Sequence, residues 1–205
     1  MNVVKTNYEK WYEGDDYYWG FEPADLCKEI AAILPKDKPL KILDIGCGEG
    51  KDAVYFAKLG YDVSAFDITE NGIRKTKMLA DKEGVKISAW IDDINSFDLK
   101  ENYDVIYSTG TIQYLSEDKK DRFFEVVKSH TNVGGINWFN VFVEKPFIPL
   151  PPDWDITEQY WKTGELFMQY PDWKFLRVDE DIFECHSSGV PHLHCMDYLF
   201  AQKVK

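Results

Sequence analysis

Three glycines at alternate positions, Gly46, Gly48 and Gly50, follow the apolar run Lys41-Ile42-Leu43-Asp44-Ile45. A carboxylate, Asp67, closes the next apolar run about 20 residues after the first glycine. Glycine lets a backbone turn sharply and approach a ligand with no Cβ in the way. A carboxylate at a neighbouring strand end can accept hydrogen bonds from both hydroxyls of a ribose. The chemistry these residues suit is recognition of a nucleoside-bearing ligand in a crevice at the carboxyl ends of parallel strands. A dinucleotide fingerprint, G-x-G-x-x-G, would need its third glycine at position 51, which is Lys51, so the spacing here is G-x-G-x-G. That difference counts against the alternative of a nucleotide-cofactor oxidoreductase.

A second group with chemical potential lies near the C-terminal end, where His186, His192 and His194 are flanked by Cys185 and Cys195. Imidazole and thiolate are both zinc ligands. The spacing nevertheless fits no zinc module, and Gly189 and Pro191 suggest a hairpin whose histidines face the cleft or solvent, so no metal is expected. The remaining cysteines, Cys27 and Cys47, are far away in sequence and no C-x-x-C occurs, which makes reduced thiols the default.

The elements that must position these residues follow from the hydrophobic pattern. Strands are expected over 40–45, 62–66, 85–90, 103–108 and 136–143, with helices over 24–34, 51–59, 70–82 and 117–131. Strands alternating with helices imply a parallel sheet covered on both faces. The beat breaks at 145–154, a proline and aromatic stretch unsuited to helix or central strand. A short helix over 163–169 and terminal strands over 173–179 and 194–202 complete the pattern.

With its acid two residues before the first glycine, the run Asp44-Ile45-Gly46-Cys47-Gly48-Glu49-Gly50 resembles the first motif of class I S-adenosylmethionine-dependent methyltransferases. Within that superfamily the chain is most similar to the tellurite-resistance (TehB-type) methyltransferases. Gly60-Tyr61-Asp62-Val63-Ser64-Ala65-Phe66-Asp67, Trp161-Lys162-Thr163-Gly164-Glu165-Leu166 and Glu180-Asp181-Ile182-Phe183-Glu184-Cys185-His186 carry the likeness. The resemblance implies an α/β, Rossmann-like three-layer sandwich whose seven-stranded, mostly parallel sheet ends in an antiparallel strand. It also implies S-adenosylmethionine as cofactor, held by Asp44, Gly46, Cys47, Gly48, Gly50, Asp67, Ile68, Asp93, Ile94, Thr109 and Trp19. Asp92 competes with Asp93 for the adenine amino group. His186 matches the family's active-site histidine, whereas the arginine that follows it there is Ser187 here, so the acceptor's identity does not carry over.

Composition narrows the partners. Lys plus Arg total 24 against 36 Asp plus Glu, for a net charge of −12, which would repel a phosphate backbone. No apolar stretch approaches the roughly 18–20 residues that span a bilayer, and the first residues do not read as a secretory signal. The expectation is one cytoplasmic methyltransferase domain over 1–205, monomer or homodimer, acting on a small molecule: a thiol, a tellurite- or selenite-type chalcogen compound, or a small amine or hydroxyl. Nucleic acid and membrane are not expected partners. An S-adenosylmethionine-binding sensor without catalysis would share the glycine loop. The aromatic segment 8–21 and the loop 144–162 are expected to bracket the cleft as a substrate lid, the alternative being ordinary satellite core.

Overall fold

The computed structural model describes residues 3–152, 158–186 and 189–205. Its sheet is built from β1 (Lys41–Ile45), β2 (Asp62–Asp67), β3 (Ile87–Ile91), β4 (Tyr103–Ser108), β5 (Thr131–Phe142), β6 (Lys174–Cys185) and β7 (His192–Gln202). The strand order is β3-β2-β1-β4-β5-β7-β6. The pairings among β1 to β5 are parallel, and β7 inserts antiparallel between β5 and β6. The antiparallel last strand and the mostly parallel sheet therefore match the sequence expectation. Because the chain moves outward from β1 toward β2 in one direction and toward β4 in the other, a crevice opens at the carboxyl end of β1.

The helices are α1 (Val3–Trp11), α2 (Asp25–Ile33), α3 (Lys51–Lys58), α4 (Glu70–Lys82), α5 (Lys120–Ser129) and the short α6 (Glu165–Met168). Both faces of the sheet are covered, which is why β1 and β4 are buried along nearly their whole length. Ile42, Val105, Tyr107 and Trp138 pack with Ile30 of α2 and Phe56 of α3 on one face. Leu43, Ile106 and Phe139 pack with Phe123 and Phe124 of α5 on the other. Among the described residues, no helix is long and apolar enough to cross a membrane.

Three elements differ most from the sequence pattern. The aromatic N-terminal segment begins as α1, whose first turns precede the residues singled out. β5 starts at Thr131, five residues early, because Gly134 and Gly135 pass through the strand next to Lys203. β6 extends to Cys185, so 180–185 belongs to an edge strand that pairs with β7, and His186 follows its end. Six of the twelve residues of β6 are charged, which suits an exposed sheet edge.

Candidate active site

The glycine loop is shaped by its own backbone. Gly46, Gly48 and Gly50 all adopt left-handed φ values, +73°, +55° and +88°, which side-chain-bearing residues rarely hold. The Gly46 and Cys47 amides both donate to the Phe66 carbonyl at the end of β2, at 2.8 and 3.0 Å. Asp67 accepts from the Gly48 amide at 2.9 Å, and from the Thr69 amide and hydroxyl at 2.9 and 2.6 Å. A Cβ on Gly46 would overlap the Thr111 side chain, and one on Gly50 would lie 2.6 Å from Thr76 Oγ1. A buried ion pair fixes the loop to α4: Lys75 Nζ meets Glu49 Oε1 at 2.8 Å, with both side chains at most 2% exposed. Glu49 Oε2 in turn accepts from the Trp19 amide at 3.1 Å, and Lys75 also donates to the Asp16 carbonyl. The loop, α4 and the N-terminal segment are thereby tied together.

Above the loop lies a cavity of about 550 Å³, the size range of small-molecule sites. Asp44, Gly46, Cys47, Gly48, Asp67, Ile68, Asp93, Ile94, Thr109 and Trp19 all line it. Gly50 does not; it serves one layer below, as the residue before α3. Asp92 lines the cavity beside Asp93. Asp93 Oδ1 also accepts from the Asn95 amide at 2.9 Å and caps that turn, while Asp92 accepts from Trp90 Nε1 at 3.2 Å.

The wall is acidic. Burial, reinforced by Asp52 and Asp67, pushes the Asp44 carboxyl well above the ordinary aspartate range. Its Oδ2 is buried with no hydrogen-bond partner among the described residues. Burial also raises Asp67, against the lowering effect of its Thr69 and Gly48 donors.

The lid divides. Tyr8 and Trp11 of α1, with Tyr12 just after it and Tyr18 and Trp19, form one side of the cavity, and Tyr8 Oη meets Tyr114 Oη at 2.9 Å. Their i, i+3, i+4 spacing was the sequence signal for a helical face that composition alone did not reveal. Phe147 and Leu150 of the proline-rich loop are 70% and 78% exposed, and of the described part of 144–162 only Glu158 reaches the cavity. Trp154 lies outside the described residues.

His186 is not in the cavity wall. Its side chain is exposed, and its Nε2 pairs with Glu184 Oε1 at 2.9 Å. Phe183 and Cys185 face the cavity instead, joined by Phe142 and by His194, which sequence reasoning assigned no role. Ser187 lies outside the described residues. Cys185, His192 and His194 place one ligand atom each within 4.8 Å of one another.

Comparison with known proteins places this geometry in context. The family model for the tellurite resistance protein TehB matches residues 11–191. A probable S-adenosyl-L-methionine-dependent methyltransferase TehB from Haemophilus influenzae is 36% identical over 150 residues, 73% of this chain and 51% of that protein. The chain thus spans about half the length of the curated relatives it matches. The crystal structure of TehB from Haemophilus influenzae superposes with a TM-score of 0.77 at 30% identity, covering 97% of this chain and 66% of that one. A magnesium protoporphyrin IX methyltransferase from Synechocystis, solved with bound SAH, shares the fold at a TM-score of 0.69 and 14% identity, over 98% and 95% of the two chains.

Proposed function

The chain belongs to the tellurite resistance protein TehB family, and we infer from that membership and from the cavity that it transfers a methyl group from S-adenosylmethionine to a small, soft nucleophile such as a thiol. The observation that carries this inference is the acidic composition of the wall: among the described residues Asp44, Asp52, Asp67, Asp92, Asp93 and Glu158 line it against a single lysine, Lys51. Such a wall suits a ligand bearing a sulfonium and an ammonium, and it repels the pyrophosphate of a dinucleotide. The Asp44 oxygen without a partner fits the same ligand, since an ammonium would satisfy it and favour the ionised carboxylate. Asp67 faces a ribose, Asp93 or Asp92 the adenine amino group, and Ile68, Ile94 and Trp19 the apolar flanks.

S-adenosylmethionine supplies a methyl group already activated on a sulfonium. The chain's task is then to hold the acceptor in line and keep water out, where orientation contributes roughly 7–11 kcal/mol. The acceptor side, with Phe142, Phe183, Cys185, His194 and Tyr114, is mainly aromatic. None of the chain's three arginines lines the cavity: Arg74 bonds Asn71, Arg122 pairs with Asp98, and Arg177 pairs with Glu29 and Asp179. Without a guanidinium fork to grip an oxyanion, a thiol is favoured over tellurite or selenite. A cytoplasmic setting belongs to the same proposal, in keeping with four cysteines that are all free thiols.

Incubation with methyl-labelled S-adenosylmethionine and 2-mercaptoethanol, in parallel with tellurite, tests this. Labelled methyl sulfide from the thiol is the expected product. Faster transfer to tellurite would overturn the acceptor class, and transfer to neither by protein that binds S-adenosylhomocysteine (SAH) would point to the sensor alternative.

A further inference from the structure

We propose that Cys185, His192 and His194 form a site for a borderline-soft cation of the Zn²⁺ class, with one coordination position open toward the cavity. The site is built by the hairpin. Cys185 at the end of β6 pairs in register with His192 at the start of β7, and His194 follows two residues on, on the same face of the strand. The result is one sulfur and two imidazole nitrogens, all mutually within 4.8 Å. The Nε2 atoms of His192 and His194 are 3.0 Å apart. Two nitrogens on a tetrahedral ion, each about 2.0–2.1 Å from the metal, lie about 3.3 Å apart, so the pair already stands near chelating distance.

The surroundings fix the rings as a metal site requires. His192 Nδ1 lies 2.8 Å from the Val190 carbonyl. A carbonyl only accepts, so Nδ1 carries the proton and the Nε2 lone pair accepts from His194 Nε2, whose proton would leave that nitrogen when the cation binds. Anchoring of one ring nitrogen on a backbone carbonyl is the usual support of a ligating histidine. His194 is 4% exposed, with the Phe142 and Phe183 rings at 4.7 and 5.7 Å. These rings restrict its orientation and limit access of water.

Cys185 and His194 both line the cavity, which directs the open position inward. Cation binding stands independently of the methyl-transfer proposal; the use of the open position rests on it. An acceptor thiol entering there would lose its proton to solvent and coordinate as the thiolate, the nucleophilic form, beside the methyl donor. The competing account is a hydrogen-bonded imidazole pair with no ion.

Tag-free protein stripped with a chelator would be titrated with Co²⁺, a spectroscopic stand-in for Zn²⁺, then with Zn²⁺ itself, and SAH binding would be measured on the same preparations. The expected result is one equivalent of Co²⁺ with intense tetrahedral visible bands and a thiolate charge-transfer band, displaced by Zn²⁺. Cys185→Ser should abolish the charge-transfer band. His192→Ala and His194→Ala should each weaken binding by about tenfold or more, and His186→Ala should bind the ion as the unsubstituted protein does. Adding 2-mercaptoethanol should shift the visible bands; bands that do not respond would overturn the open position. Protein that binds SAH but no stoichiometric Co²⁺ overturns the site, as does Co²⁺ binding that survives Cys185→Ser combined with His194→Ala. Failure of SAH binding with the cobalt spectrum intact would count against the methyl-transfer proposal alone.

Discussion

Asp67 serves two purposes with one carboxylate. It faces the cavity, and its oxygens accept from Gly48, Thr69 and the Thr69 hydroxyl, so it braces the loop that it would help to present to a ligand. Asp67→Ala is expected to weaken SAH binding by about 1–3 kcal/mol, roughly 5- to 150-fold, read by calorimetry on protein whose circular dichroism is unchanged. The residue types around the loop were legible in the sequence because glycine spacing and strand-end acids have direct physical meanings. His186 illustrates what such a reading misses. At the end of β6, Phe183 and Cys185 face the cavity, while Glu184 and His186 pair with each other outside it. Successive side chains on a strand point to opposite sides, and a string match does not say which of two neighbours points inward. A general base must come within hydrogen-bond reach of its proton. His186→Ala should therefore lower the thiol methylation rate by less than about tenfold, against the 10²–10⁴-fold loss typical of a missing base; a loss in that larger range would return the histidine to the acceptor site.

At the level of elements, the attachment of α4 to the glycine loop was hidden in the sequence. Lys75 occurs in a helix with charged neighbours and reads as part of a solvated face, yet it is fully buried against Glu49 beneath the N-terminal segment. Removing one member of a buried pair strands the other charge, which costs about 3–5 kcal/mol. Lys75→Met should show that loss in denaturant unfolding, and combining it with Glu49→Gln should recover much of it. A double variant no more stable than Lys75→Met would mean that the lysine acts mainly through Asp16 and Tyr17. The β6–β7 hairpin carries a pH-sensitive group, Asp197. Burial pushes its pKa up to about 6, with Glu180 opposing ionisation and the Gly164 amide favouring it. The unfolded value is about 3.9. Between these values the folded state holds more protons than the unfolded chain, so this group's contribution to stability falls as pH rises from about 4 to about 6 and stays low above. Asp197→Asn should add on the order of 1–3 kcal/mol above pH 6 and little near pH 4, measured by urea unfolding across that range; an equal effect at both pH values would exclude the titration.

Across the whole molecule, the alternation of strands and helices revealed the parallel sheet because each strand from β1 to β5 is followed or preceded by a covering layer. It did not reveal α1, whose nine residues are too few to be stable alone and are held by contacts with α4 and Tyr114. Nor did it reveal the full length of β6, since an exposed edge strand carries charges where a buried one carries apolar residues. The same whole-molecule view sets the central test, because the acidic crevice formed by the ends of β1, β2 and β3 under α1 should choose its ligand by charge. Calorimetric titration of the intact protein with S-adenosylmethionine, SAH and NAD measures that choice directly. One-to-one binding of the first two, with no heat from NAD, is the expected outcome, and SAH should raise the melting temperature in a concentration-dependent way. Binding of NAD in preference to SAH, or binding of neither S-adenosyl compound by folded protein, would contradict it.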